Sequence, residues 1–211
     1  MSEAGAGPLG VILAGGKATR MGGGDKALLP LGGVRMIDRV TARLAPQCDG
    51  LALNANGDPA RFADLGLPVL PDSLPDHPGP LAGVLAGLDH AAALGRTHIV
   101  SAAADTPFFP ADLVARLFAA AAAANAPIAL AATPGERGRD RHPTFGLWPV
   151  ALREDLRAAL IGGLRKIVRW TDAHGAADAV FSLEAGDPFF NVNTPEDLAA
   201  AEARLRAEAA R

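Results

Sequence analysis

Gly10-Val11-Ile12-Leu13-Ala14 runs straight into Gly15-Gly16-Lys17-Ala18-Thr19-Arg20-Met21-Gly22-Gly23-Gly24-Asp25-Lys26, and this junction decides the fold. The first part is an apolar run of strand length; the second is a glycine-rich turn carrying cations. Six further short runs read as strands, at 51–54, 68–70, 98–102, 128–132, 144–148 and 179–183. Helical patterns separate them at about 36–45, 81–94, 110–124 and 153–170, the last broken at Gly162-Gly163. Ile37, Val40 and Leu44 recur at helical spacing, and Leu81, Val84, Leu85 and Leu88 do so more clearly. Thr194-Pro195-Glu196-Asp197 has the marks of a helix start: a Thr cap, Pro at the first position, then acids facing the dipole. That helix is expected to run to the carboxyl terminus on an apolar stripe of Leu198, Ala201 and Leu205. Strands alternating with helices predict an α/β fold, three layers around a mostly parallel sheet. No repeat or linker divides the chain, so residues 1–211 are expected to form one domain, with 135–140 as a mobile polar loop.

Composition narrows the function. The 211 residues carry 20 Lys+Arg against 23 Asp+Glu, a net charge of −3, and no basic cluster of the kind that nucleic-acid binding needs. An anionic small molecule remains open, because a few placed cations in a cleft suffice. The single cysteine, Cys48, excludes an intramolecular disulfide and a thiolate-rich metal site. The amino end lacks the cationic start of a secretory signal, and no apolar run is long enough to cross a bilayer. A soluble cytoplasmic protein is expected.

In an open α/β sheet, ligands bind beyond the carboxyl ends of the strands. The loop after the first strand holds five glycines between residues 15 and 24, which let the backbone turn its N–H groups toward an anion. Arg20 and Lys26 add fixed positive charge, equipping the loop for a polyphosphate. Two of the chain's three lysines, Lys17 and Lys26, lie here. The loop is not a P-loop, since Ala18 follows Lys17 and Val11 stands where the first glycine belongs. Gly22-x-Gly24-x-x-Ala27 fits a loose dinucleotide fingerprint but lies too far past the strand. Later strand ends add polar groups to the same edge: Asn54, Asp72 in Asp72-Ser73-Leu74, and the helix opening Gly79-Pro80-Leu81-Ala82-Gly83. A neutral amide and a carboxylate can read a base or ribose edge. Asp105, in Ala104-Asp105-Thr106-Pro107, is a candidate Mg²⁺ ligand, because that ion takes one or two carboxylates plus phosphate oxygens and water. Asn191 and Asn193 can complete the metal site or orient phosphates; alternatively, Asn193 only turns the chain into its helix. His142 reads as structural, and no Gly-x-Ser-x-Gly elbow supports a serine hydrolase.

These segments resemble a known family. Leu13-Ala14-Gly15-Gly16, then Arg20-Met21-Gly22 and Asp25-Lys26, is similar to the signature loop of nucleotidyltransferases with the glycosyltransferase-A-like fold. Within that group the chain resembles the molybdenum cofactor guanylyltransferases. Further matches, in the family's order, are Asn54-Ala55-Asn56, Asp72-Ser73, Gly79-Pro80-Leu81-Ala82-Gly83, Asp105-Thr106-Pro107, His142-Pro143-Thr144 and Asn191-Val192-Asn193-Thr194-Pro195. The resemblance implies a Rossmann-like domain of the nucleotide-diphospho-sugar transferase type. It implies that GTP and molybdenum–molybdopterin give the guanine dinucleotide cofactor and pyrophosphate. By the same resemblance Leu13, Ala14, Gly15, Lys26, Asn54, Asp72 and Asp105 contact GTP. Asp105 would bind Mg²⁺, with Mn²⁺ as a substitute, and Arg20, Lys26 and Asp105 would carry catalysis. Arg165, Lys166, Asn191 and Asn193 become contacts to phosphate or pterin. Here the chain departs from the family, which favours arginines where this sequence has Lys166, a side chain without bidentate geometry.

Three other readings stay open on the residues: a cytidylyltransferase for the same cofactor, a sugar-1-phosphate nucleotidyltransferase, and a non-catalytic GTP-binding protein that delivers cofactor. The main reading implies a monomer that meets molybdenum insertion proteins and recipient molybdoenzymes, and neither nucleic acid nor membrane.

Overall fold

The computed structural model describes residues 7–15, 25–74, 79–136, 138–164 and 166–209. β1 (Leu9–Leu13) leads through a small hairpin, β2 (Pro30–Leu31) and β3 (Val34–Arg35), into α1 (Met36–Leu44). β4 (Leu51–Asn54) and β5 (Val69–Leu70) follow, then α2 (Pro80–Ala93), β6 (His98–Ala103) and α3 (Leu113–Ala124). The second half comprises β7 (Ala129–Gly135), β8 (Gly138–Pro149), α4 (Arg153–Ile161), α5 (Ile167–Ala173), β9 (Ala177–Val180) and α6 (Pro195–Ala209).

Seven strands form one sheet in the order β5-β4-β1-β6-β8-β7-β9. β1 lies between β4 and β6, parallel to both, with Leu13 opposite Asn54 on one side and Ala103 on the other. β8 alone runs antiparallel, between β6 and β7. This is the mostly parallel mixed sheet that the alternating pattern predicts.

Side-chain alternation along β1 builds the two outer layers. Ile12 faces Ile37, Val40 and Leu44 of α1 and, farther along the same face, Leu113 and Leu117 of α3. Val11 and Leu13 face Leu81, Val84, Leu85 and Leu88 of α2, with α4 and α5 beside it. Val11 and Ile12 are both fully buried, and each such side chain contributes roughly 1.5–3 kcal/mol. Gly87 lets α2 lie close, because a Cβ there would stand 2.7 Å from Val11 Cγ2. The α6 stripe of Leu198, Ala201 and Leu205 packs with Leu31, Met36, Phe108 and Val192 in a third, smaller cluster.

Three expectations need correction. Gly135 and residues 138–140, expected in a free loop, are instead strand residues of the β7–β8 hairpin, where Gly135 pairs with Gly138. β8 therefore begins six residues before the expected Thr144, with its exposed charged start paired to β7. The strand expected at 179–183 instead occupies Ala177–Val180, placed by parallel pairing with β7. Residues 210–211, where the helix was expected to continue, lie outside the described residues.

Candidate functional site

Parallel strands end on one side, so the segments after β1, β4, β5 and β6 share an edge. Backbone bonds continue past the strand ends: Ala14 N donates to Asn54 O at 2.9 Å, and Ala104 N to Leu13 O at 3.0 Å. Asp105 is thereby set beside the departing β1 chain. Lys26 enters from a single 3-10 turn, Lys26–Leu28, and is 8% exposed. Its Nζ donates to Asp105 Oδ2 at 2.7 Å and also to Asn193 Oδ1. Thr106 Oγ1 donates toward Asp105 Oδ1 at 3.1 Å and contacts Asn191 Oδ1. Segments 79 and 167 positions from Lys26 in sequence thus converge on one ammonium and one carboxylate.

The helix start read at Thr194 serves as the platform for that convergence. Asp197 N donates to Thr194 Oγ1 at 3.2 Å, while Asp197 Oδ2 accepts from Asn193 N and Thr194 N, both at 2.9 Å. These bonds, that from Asn193 first, hold the Asp197 carboxyl below its usual range. Val192 N donates to Asp105 O at 2.9 Å, clipping the segment against the loop after β6. Of the two roles open for Asn193, its side chain takes the site and its backbone serves the helix.

A second group sits toward β5. Asn54, 4% exposed, donates through Nδ2 to Asp72 Oδ1 at 2.9 Å and to Leu70 O at 3.1 Å. Asn56 Nδ2 donates to Asp72 Oδ2 at 2.7 Å, and Asp72 N returns a bond to Asn56 Oδ1 at 2.9 Å. Two amides therefore fix both oxygens of one carboxylate. Gly83, in the first turn of α2, makes room for this arrangement: a Cβ there would lie 2.1 Å from Asn54 Oδ1.

Not every candidate falls in this cluster. Arg20 and residues 16–24 lie outside the described residues, as does Arg165. Lys166 is exposed at the start of α5, and Gly15 is exposed where the chain leaves β1. His142 shares a 2.9 Å hydrogen bond with Thr133 Oγ1 and stacks on Phe189 at 4.4 Å between centroids, the structural role read for it. Burial lowers its pKa, against weaker upward pulls from Asp187 and Asp140. Thr106 and Asn56 were assigned no role by sequence, although both lie within the quoted motifs Asp105-Thr106-Pro107 and Asn54-Ala55-Asn56.

The donor set near Asp105 is a carboxylate, side-chain amide oxygens and a hydroxyl, all hard oxygen ligands. Among the described residues no group of three or more His, Cys, Asp or Glu could cage an ion. One carboxylate at a partly open edge fits the way Mg²⁺ is bound together with substrate phosphates. The Lys26 ammonium has three donors, and among the described residues Asp105 and Asn193 take two of them. Such an edge can hold a polyphosphate at one end and a hydrogen-bonding ring at the other.

The chain is similar to known proteins over most of its length. The model of the MobA-like NTP transferase domain matches residues 10–204. A molybdenum cofactor guanylyltransferase from Nitrobacter hamburgensis is 54% identical over 196 residues, 92% of each chain. One from Cereibacter sphaeroides is 52% identical over 200 residues, 95% of this chain and 98% of the relative. Among solved structures, molybdopterin-guanine dinucleotide biosynthesis protein A from Archaeoglobus fulgidus superposes with a TM-score of 0.72 at 23% identity, covering 94% of this chain and 99% of its own. A 4-diphosphocytidyl-2C-methyl-D-erythritolsynthase from Anaerococcus prevotii shares the fold at 14% identity, TM-score 0.71, covering 94% and 95%.

Proposed function

This chain belongs to the molybdenum cofactor guanylyltransferases of the MobA-like NTP transferase family, and from that premise we propose its reaction and the residues that carry it. It transfers GMP from GTP to the terminal phosphate of molybdenum–molybdopterin. An oxygen of that phosphate attacks the α-phosphorus of GTP, the bond to the β-phosphate oxygen breaks, and pyrophosphate leaves. A phosphate monoester loses its second proton near pH 6, so no strong general base is needed. A half-buried, structurally engaged His142 agrees with that.

The observation that carries this reading is the convergence of Lys26, Asp105 and Asn193 at the ends of β1 and β6. Lys26 carries its positive charge toward the departing phosphates, joined by Arg20. Leu13, Ala14 and Gly15 offer the turning backbone, and Asn54 and Asp72 read the guanine end. Asn191 orients Asp105 through Thr106. Asp105 is the residue that would hold Mg²⁺ or, in its place, Mn²⁺; when bound, the ion neutralises phosphate charge. Arg165 and Lys166 are assigned to the acceptor. Catalysis is then mostly positioning and electrostatic stabilisation.

The reading takes residues 1–211 as one monomeric domain; the seven-stranded sheet that joins strands from both halves of the chain supports one domain. Its acceptor comes from a molybdenum insertion step and its product goes to molybdoenzymes, in the cytoplasm. No helix among the described residues is long and apolar enough to cross a membrane.

Thermal unfolding with GTP, CTP, ATP and UTP, each with and without Mg²⁺, tests the nucleotide. A ligand at 100 times its Kd stabilises by about 2.7 kcal/mol, a shift of roughly 5–10 °C for this size. The expected result is a shift selective for GTP, whose Mg²⁺-dependent part disappears in Asp105→Asn. A CTP-selective shift would reassign the product, and an intact Mg²⁺ response in Asp105→Asn would remove the metal ligand.

A further inference from the structure

Arg61 lies on the 3-10 turn Pro59–Leu65 that follows β4, a turn capped by Asp58, which accepts from Ala60 N at 2.9 Å. Its guanidinium meets three acceptors on two different loops. Nε, shielded from solvent, forms an ion pair with Asp25 Oδ2 at 2.5 Å, without the alignment of a hydrogen bond. Nη2 donates to Asn56 O at 2.5 Å and Nη1 to Asp58 O at 3.2 Å. The guanidinium carbon lies 4.8 Å from the ring centre of Phe62, itself fully buried. Gly57, at φ +85°, leaves the path open, since a Cβ there would be 2.8 Å from Nη1.

The placement of these acceptors matters more than their number. Asp25 immediately precedes Lys26, the phosphate-side ammonium. Asn56 is bonded to Asp72 on the base side, through Nδ2 and through Oδ1. Arg61 is thus one residue removed from each half of the site. The Asp25 and Arg61 side chains are 23% and 27% exposed, and ion pairs at such exposure contribute little to folding. A planar fork can hydrogen-bond two carbonyls of one loop while its third nitrogen pairs with a carboxylate of the other, a fixed spread that a compact ammonium lacks.

We propose that Arg61 is a positioning residue, a strut that fixes the spacing between the Lys26 turn and the Asn56–Asp72 turn. The inference rests on the reading of this edge as a nucleotide site. A ligand spanning both halves gains from fixed spacing because less ordering remains to be done on binding. A ligand occupying one half gains nothing.

That distinction sets the test. Arg61→Met keeps the stem over Phe62 and removes the fork. Asp25→Asn cuts the strut from its other end and carries the test if Arg61→Met fails to fold. Dissociation constants are measured by calorimetry for GTP with Mg²⁺, and by competition for guanosine and for pyrophosphate. The expected pattern is a loss of about tenfold for GTP, with guanosine and pyrophosphate within about twofold of the parent and little change in Tm. Unchanged GTP affinity overturns the strut. So does a loss shared in full by guanosine or by pyrophosphate, which marks a local structural role. Failure of the parent protein to bind GTP overturns the nucleotide reading itself and takes the strut with it.

Discussion

Replacing Lys26 by Ala separates stability from chemistry at the point where the two meet. The ammonium is 2.7 Å from Asp105 Oδ2, and the side chains are 10% and 29% exposed. Truncation leaves Asp105 with the Thr106 hydroxyl at 3.1 Å and with solvent, so the carboxylate is not stranded as a fully buried charge is. The cost therefore falls well short of the 3–5 kcal/mol of a broken buried pair, at about 1.5 kcal/mol. For a chain of this length that lowers Tm by about 3–6 °C. Turnover should respond far more. Losing one donor that stabilises transition-state charge costs about 10²–10³ in kcat, or roughly 3–4 kcal/mol. Pyrophosphate release under saturating GTP measures the second quantity and thermal unfolding the first. Near-normal turnover in a folded Lys26→Ala protein would refute the role of Lys26. A turnover loss matched by collapse of Tm would refute the separation.

Two further outcomes test the surroundings. Gly83→Ala puts a methyl 2.1 Å from Asn54 Oδ1, so it should displace Asn54 from Asp72; overpacking of this kind costs about 1–3 kcal/mol and GTP affinity should fall about tenfold or more. Calorimetry showing undiminished GTP affinity would disconnect the Asn54–Asp72 pair from the nucleotide. For His142, burial keeps the folded pKa below the unfolded value near 6.5, so the unfolded chain takes up the proton first as pH falls. Its contribution to stability is complete above about pH 6.5 and is lost on acidification through the window below it. His142→Gln should flatten the fall of Tm between about pH 7 and 5.5. The remainder belongs in part to His98, which burial also lowers. An equally steep fall would take His142 out of the acid response.

Much of the fold was legible because its signals are local. The helix start at Thr194 combines a cap, a proline and acids within four residues, and the α2 stripe is dense enough to show its period. β8 was less legible. Arg139, Asp140 and Arg141 are all charged, the first two exposed, so nothing in their composition marks a strand; pairing with β7 makes them one. The β2–β3 hairpin is two residues a side, held by Gly32 and Gly33 at φ +58° and +77°, and a strand that short leaves no alternation to read. In the site, the residues after the strand ends could be named singly from topology. Their partners could not, because Lys26 and Asn193 meet only through tertiary packing across 167 positions. Arg61 was invisible for the same reason: an arginine on a short polar turn has no local mark of what it reaches.

The most direct test of the central claim follows the nucleotide itself. The purified protein is given molybdenum–molybdopterin, Mg²⁺ and either GTP or CTP labelled at the α-phosphate. The expected result is label in a pterin dinucleotide and stoichiometric pyrophosphate, from GTP and not from CTP. Transfer from CTP in preference, or binding of GTP with no label transferred to the supplied pterin, would contradict it.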